Sequence, residues 1–387
     1  MGVRRVVAAA GVVATAIALT SCGSTTSSLP SSSSSHPSGP VTPPPPLTAS
    51  GTATATDPTP SPVGSSEHPA PLTAGATPLH WTSVPGSTKD LVTVGDGWTL
   101  TVVHGGSSAR LAGPHPRTIS AGAHASITDA YLDAGHALVV SEDRLAKQPD
   151  LATLVDLASG GATVLDGGSD PPTVVGGTWA LGPDTLVHAT SGSQHRYCLA
   201  TVQLAGGATS TGATGWCAAP RHGFSRAAIT GDGTTMMTFD NHHPSCRVLN
   251  SVEGTVLHPL PGVTPCKGWD SALLDGTTAW SVVPNDHRIE AAHFYAHTDG
   301  GWYDLGAGTS GSLVTCDGSA YFTRDPGSRT EPARLLRWSP ADASLTVAYA
   351  TTGTGNAFLS PPRCGGTHLT LTAYTSAGDT QVTTALN

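Results

Sequence analysis

Lysine is almost missing from this chain: three in 387 residues, beside fifteen arginines. Charged residues make up only 12% and aromatic residues 5%, and the formal charge is −9. An acidic chain with few, scattered cations is a poor match for a phosphate backbone, so nucleic acid is not an expected partner. The arginine bias is most simply a codon effect of a GC-rich genome. Amphipathic helical patterns are also missing. With 46 glycines and 31 prolines the chain is poorly suited to long helices, whereas its Thr, Ser and Val suit strands and turns. Signatures of common chemistries are lacking too. There is no H-E-x-x-H, no Walker loop and no C-x-x-C pair, and "GFSRA" at 223–227 lacks the second glycine of a nucleophile elbow. The sequence therefore predicts no catalytic residue, no cofactor and no metal site.

The strongest signal is an address. The chain begins "MGVRRVVAAAGVVATAIALTSCGS", with Arg4 and Arg5 as a basic start and residues 6–19 as an apolar run too short to span a bilayer comfortably. The following Leu19, Thr20, Ser21 and Cys22 resemble the lipobox of bacterial lipoproteins. That resemblance implies a signal peptide over 1–21, cleavage before Cys22 and acylation of its thiol. It further implies anchoring in the lipid bilayer at the outer, extracytoplasmic face of the cell membrane, as in a Gram-positive-like envelope.

Residues 22–77 are rich in Ser, Thr and Pro, with almost nothing to bury. Such a segment cannot offset the entropy of ordering, and it reads as a disordered tether. The expected folded domain is 78–387.

In that domain an apolar–turn–apolar unit recurs, with turns centred at Gly97, Gly135, Asp184, Gly233, Gly276, Gly318 and Gly366. The spacings run from 38 to 49 residues, which in an all-β chain points to four-stranded propeller blades. The turns Asp96-Gly97, Asp133 to Gly135, Pro183-Asp184, Asp232-Gly233, Asp275-Gly276 and Asp317-Gly318 resemble those of the TolB-type β-propeller family, although none has the full Ser-Pro-Asp-Gly form. The expected fold is an all-β, seven-bladed β-propeller, with tandem β-sandwiches as the alternative. The last copy stops after three strands. Residues 79–84, "LHWTSV", belong to no repeat and are expected to supply its fourth strand, removing an open edge.

Six further cysteines suit a disulfide framework in an exported chain. By repeat register, Cys198 and Cys246 open third strands, and Cys217 and Cys266 open the copies that follow. This favours pairs 198–217 and 246–266. Cys316 and Cys364 occupy matching inner turns of the last two copies, and their pairing requires neighbouring inner strands to come within disulfide reach.

For ligand binding, the candidates are Trp216 and Trp269 beside cysteines, with Arg221, His222, His242, His243 and Lys267 on the same expected face. Aromatic and basic groups on pinned loops suit a protein or glycan ligand. Asp240 in the 240–246 loop, and His293 and His297 at i and i+4 of one strand, read as solvated groups rather than metal ligands. The leading expectation is a non-catalytic lipoprotein whose propeller binds or scaffolds an envelope protein or glycan. The alternative is an extracytoplasmic hydrolase, lyase or cyclase acting in the central funnel on wall or peptide substrates.

Overall fold

The computed structural model describes residues 64–193, 196–205, 208–209, 212–352 and 356–386. The lipobox, Cys22 and residues 22–63 of the expected tether lie outside the described residues. Among the described residues there is no α-helix, and no helix is long and apolar enough to cross a membrane.

The Asp-Gly turns build the frame. Asp275 and Gly276 have φ of 47° and 71° and join the paired residues Leu274 and Thr277 as a two-residue hairpin. Asp317 and Gly318, at 47° and 66°, do the same between Cys316 and Ser319. Positive φ at both central positions matches the natural twist of paired strands, which is why Asp-Gly serves here. In the fourth copy Thr230 pairs with Gly233, so the turn residues are Gly231-Asp232, one position earlier than the sequence motif suggests. In the second copy the loop is longer, and the Asp133 carboxylate accepts the backbone N–H of Gly135 and of His136, each at 2.7 Å.

The chain is an all-β propeller whose sheets are built mainly of consecutive antiparallel strands, with a few non-consecutive strands added at their edges. The expectation of seven separate sheets is not met: the described strands form six. Two are four-stranded, three are five-stranded and one has nine strands. The nine-stranded sheet contains two antiparallel runs, the four strands over 125–165 and the closing strands over 363–385. They meet where Gly365, ending strand Arg363–Gly365, pairs in parallel with Leu132. A Cβ at Gly365 would also lie 2.1 Å from the carbonyl oxygen of Val94 in strand Leu91–Gly95, so only glycine permits that strand to approach here.

Strand Thr82–Ser83 pairs with Thr380–Ala385 through Thr82–Thr383 and Ser83–Val382, which is the predicted closure. Two short strands are paired within the stretch expected as tether, before residue 78. Strand Ala70–Pro71 adds in parallel to Gly301–Thr309, and strand Gly75–Ala76 adds in parallel to Ser344–Ala350. Residues 70–83 thus run along the outer edges of three sheets. Backbone pairing holds this stretch where side-chain burial offers little. Leu72 N donates to Asp304 O at 2.9 Å, and Trp81 Nε1 donates to Ala348 O at 2.9 Å.

Apolar clusters lie between adjacent sheets. Phe294 and Phe322 stack at 4.1 Å from neighbouring sheets, and Trp280 and Trp338 are fully buried. All three expected disulfides are present, 198–217, 246–266 and 316–364, the last joining two sheets across a Cα separation of 5.6 Å.

Candidate functional site

The innermost strands carry charge in two places. In the first, Arg363 Nε donates to Thr93 Oγ1 at 2.7 Å, and its Nη2 donates to Ala130 O, so one guanidinium ties three runs of strand together. In the second, Asp270 accepts from Arg226 Nη1 at 3.0 Å, from the Gly311 N–H at 2.7 Å and from Ser281 Oγ at 3.1 Å. Burial is the largest influence on Asp270 and raises its carboxyl. The Arg226 charge and the three close donors oppose that. This carboxylate is saturated by its neighbours and reads as a clasp between sheets.

Beside the first place lies a cavity of about 510 Å³. Strand Ala125–Leu132 contributes Asp129 and Tyr131, and residues 176–179 contribute two glycines, Thr178 and Trp179. Tyr197, His222, Phe224, Ser225 and Phe239 complete most of the wall. Trp179 and Phe224 are buried, whereas Tyr131, Tyr197 and Phe239 remain part-exposed. The wall is built by local chemistry. Asp150, 1% exposed, accepts Gly176 N and Gly177 N at 2.9 Å each and Trp179 Nε1 at 3.2 Å. His188 stacks on Trp179 at 4.8 Å, and burial lowers its pKa, keeping it neutral.

Tyr131 has one hydroxyl proton and two neighbouring acceptors, Trp179 O at 2.8 Å and Asp129 Oδ1 at 3.2 Å. Burial is the largest effect on Asp129 and raises its carboxyl; the Tyr131 hydroxyl and the Arg363 charge offset this in part. Burial likewise raises Tyr131 and pushes Tyr197 up to about 12, so both phenols stay neutral donors. His222 Nδ1 lies 3.0 Å from Pro220 O; a carbonyl only accepts, so Nδ1 carries the proton and Nε2 is the acceptor. The cavity therefore offers part-exposed aromatic faces, neutral hydroxyl donors, a carboxyl group and a histidine acceptor.

Of the residues singled out in the sequence, only His222 lines this cavity. Trp216 packs edge-on against Phe224 at 5.9 Å. Trp269 lies between guanidinium groups, Arg226 at 4.5 Å and Arg247 at 5.0 Å. Lys267 Nζ is held by Asp286 at 2.7 Å, a carboxylate that also binds Arg247. His242 pairs with Asp240 at 2.7 Å in an exposed loop, while Arg221 and His243 are exposed. The structure thus distributes these seven residues among a packing contact, a cation–aromatic stack, an ion-pair network and separate loops. His293 and His297 do share a strand face, but His293 binds Asp304 at 2.6 Å and His297 packs on Trp302 at 4.0 Å. Among the described residues no group of three or more His, Cys, Asp or Glu is placed to hold a metal ion.

The residues sequence reasoning missed are Asp129, Tyr131, Tyr197 and Ser225. A faint signal existed: Asp129 and Tyr131 stand two residues apart, on the same side of an inner strand.

No family model matches the chain, and no curated protein matches it. Several solved structures are similar in fold. A prolyl endopeptidase studied for inter-domain dynamics has a TM-score of 0.49 and 12% identity, over 76% of this chain and 46% of its own. The β-propeller domain of the Trilobed protease from Pyrococcus furiosus, reported with an open velcro topology, has a TM-score of 0.49 and 9% identity, over 81% and 94%. A puromycin-hydrolyzing peptidase of Mycobacterium tuberculosis has a TM-score of 0.45 and 12% identity, over 74% and 50%. The chain spans about half the length of the whole peptidases among these.

Proposed function

We propose that this protein is a non-catalytic, extracytoplasmic binding propeller, anchored to the membrane through acylated Cys22, whose cavity at Asp129 and Tyr131 takes a neutral, hydroxyl-rich envelope ligand such as a glycan. In this reading the nine-stranded sheet counts as two blades, making seven. The observation that carries it is the cavity wall. Part-exposed Tyr131, Tyr197 and Phe239 suit the apolar faces of sugar rings, while Asp129, His222 and Ser225 suit hydroxyl groups at their edges. Three disulfides fit an oxidising compartment.

One observation favours the enzymatic alternative: a part-buried carboxyl whose pKa is raised by burial is suited to general acid catalysis, and Asp129 is such a group. Co-sedimentation separates the readings. The full-length protein is mixed with purified, protein-free cell-wall glycan, and both the bound protein and any released soluble fragments are measured. Saturable binding without fragments supports the binding reading. Release of fragments that is lost in Asp129→Asn transfers the function to the enzymatic one, and failure to bind rejects both.

A further inference from the structure

Six apolar core clusters lie at the joints between successive runs of sheet, from Trp98, Leu100 and Leu132 at the first joint to Tyr321, Leu335 and Leu369 at the last. Among the described residues no such cluster lies where the last run, over 363–385, meets the first sheet, over 91–120. The strand pattern explains the difference. On strand His368–Tyr374, Leu369, Leu371 and Ala373 join the cluster shared with the preceding sheet, so Thr370 and Thr372 face the first sheet. Thr383 and Gln381 pair with these two and share their face. On the first sheet, Trp98, Leu100 and Val102 face the second run. Val92, Val94, Thr99 and Thr101, which pair with one another, are left toward the last run.

Hydrogen bonds close this seam instead. Val94 N donates to Thr370 Oγ1 at 3.0 Å, Gln381 Nε2 to Asp90 O at 3.1 Å, and Thr367 Oγ1 to Asp96 Oδ1 at 3.1 Å. At the inner end, Arg363 and Gly365 also hold the run over 125–165, through Ala130 O and Leu132. At the outer end the closing strand Thr82–Ser83 is paired into the last run. The first sheet is tied to that strand through residues 85–90, which reach on the order of 20 Å when extended.

We propose that the ring opens reversibly at this seam, the first sheet and the last run parting about a hinge at Arg363 and Gly365 while the six apolar joints stay shut. The ring then has one joint able to widen and six that hold its shape. Parting an apolar joint brings hydrocarbon into water, whereas the polar groups of this seam exchange protein partners for water. Gln381 acts in the same direction. It is 4% exposed and its Oε1 has no hydrogen-bond partner, so opening supplies one from water. The proposal does not depend on what the cavity at Asp129 binds.

The test is thiol labelling of the folded, full-length protein, with the modified position read by peptide mass. Thr372→Cys places a probe on the seam face, at a position 5% exposed. Thr384→Cys places one on the opposite face of the same run, at a position 2% exposed that pairs with Leu369. Both substitutions nearly conserve volume, and Thr370→Cys is a second seam probe should the first fail to fold. The seam cysteine is expected to react at least roughly tenfold faster than Cys at 384, at a rate that urea below the unfolding transition barely changes. Adding Thr99→Val/Thr101→Val makes the first sheet's face of the seam apolar and is expected to slow the seam cysteine at least about threefold. Equal labelling at the two faces, or seam labelling with the full urea dependence of global unfolding, overturns the proposal. So does a seam rate that the valines leave unchanged.

Discussion

Tyr131 Oη stands 3.2 Å from Asp129 Oδ1 while its proton has a nearer acceptor in Trp179 O, at 2.8 Å. The Asp129 carboxyl thus shares the Tyr131 hydroxyl with a better-placed acceptor, and burial raises its pKa from the usual carboxylate value. The hydroxyl of Tyr131 is needed for this arrangement and its ring is not. Tyr131→Phe is expected to raise the Asp129 pKa further. An NMR titration of the Asp129 carboxyl in wild type and variant checks the direction.

His188 predicts an acid-side instability. Its folded pKa lies below its unfolded value of 6.5, chiefly through burial. Below pH 6.5 the unfolded chain takes up a proton that the folded chain refuses. Stability contributed by this residue is therefore full above pH 6.5 and is lost as pH falls through the folded value. His188→Phe keeps the stack on Trp179 and removes the titration. Denaturant unfolding at pH 7.5 and pH 5 is expected to show a smaller acid-side loss in the variant than in wild type.

The Asp270 clasp makes a different prediction. Removing one partner of a fully buried ion pair costs roughly 3–5 kcal/mol. Here Arg226 is 35% exposed, and solvent screening reduces the effect to about 2–3 kcal/mol for Asp270→Ala. Urea midpoints of wild type and variant measure it.

Disulfide removal should rank by loop length. Chain entropy assigns about 4 kcal/mol to the pair 316–364, with its separation of 48, and about 3 kcal/mol to the pairs separated by 19 and 20. The double serine variant at 316 and 364 is expected to have the lowest melting temperature of the three double variants.

The edge strands at 70–83 predict where the chain tolerates truncation. A protein beginning at residue 64 is expected to melt with the full-length chain. One beginning at 78 loses the pairings to Tyr303, Asp304, Thr346 and Val347 and is expected to melt lower. One beginning at 85 also loses the closing strand and is expected to be the least stable of the set.

The frame was legible because its information is local. Asp275-Gly276 and Asp317-Gly318 announce their hairpins within four residues, and cysteines at equivalent repeat positions reveal their partners. The outer additions Ala70–Pro71 and Gly75–Ala76 were not legible, since two-residue strands show no periodicity and bind through backbone atoms any sequence possesses. Nor was the joining of two runs into one sheet, which rests on the single parallel pair Gly365–Leu132 between strands far apart in sequence. The cavity was hidden for a related reason. Asp129, Tyr197, His222 and Phe239 come from three repeats, and no spacing within one repeat records that they meet. Trp216 and Trp269 attracted notice as aromatic residues near disulfides, yet packing and stacked arginines account for both.

The central claim is that the cavity at Asp129 and Tyr131 binds a neutral, hydroxyl-rich ligand without transforming it. Calorimetric titration of the full-length protein and of His222→Ala with soluble neutral oligosaccharides tests it most directly. His222 is exposed, so its removal leaves the fold intact, and loss of one hydrogen bond to a ligand hydroxyl is expected to weaken binding about fivefold. Saturable binding by wild type, weakened in the variant, with the oligosaccharide recovered unchanged, is the predicted result. Equal binding by the two proteins, no binding, or a cleaved oligosaccharide contradicts the account.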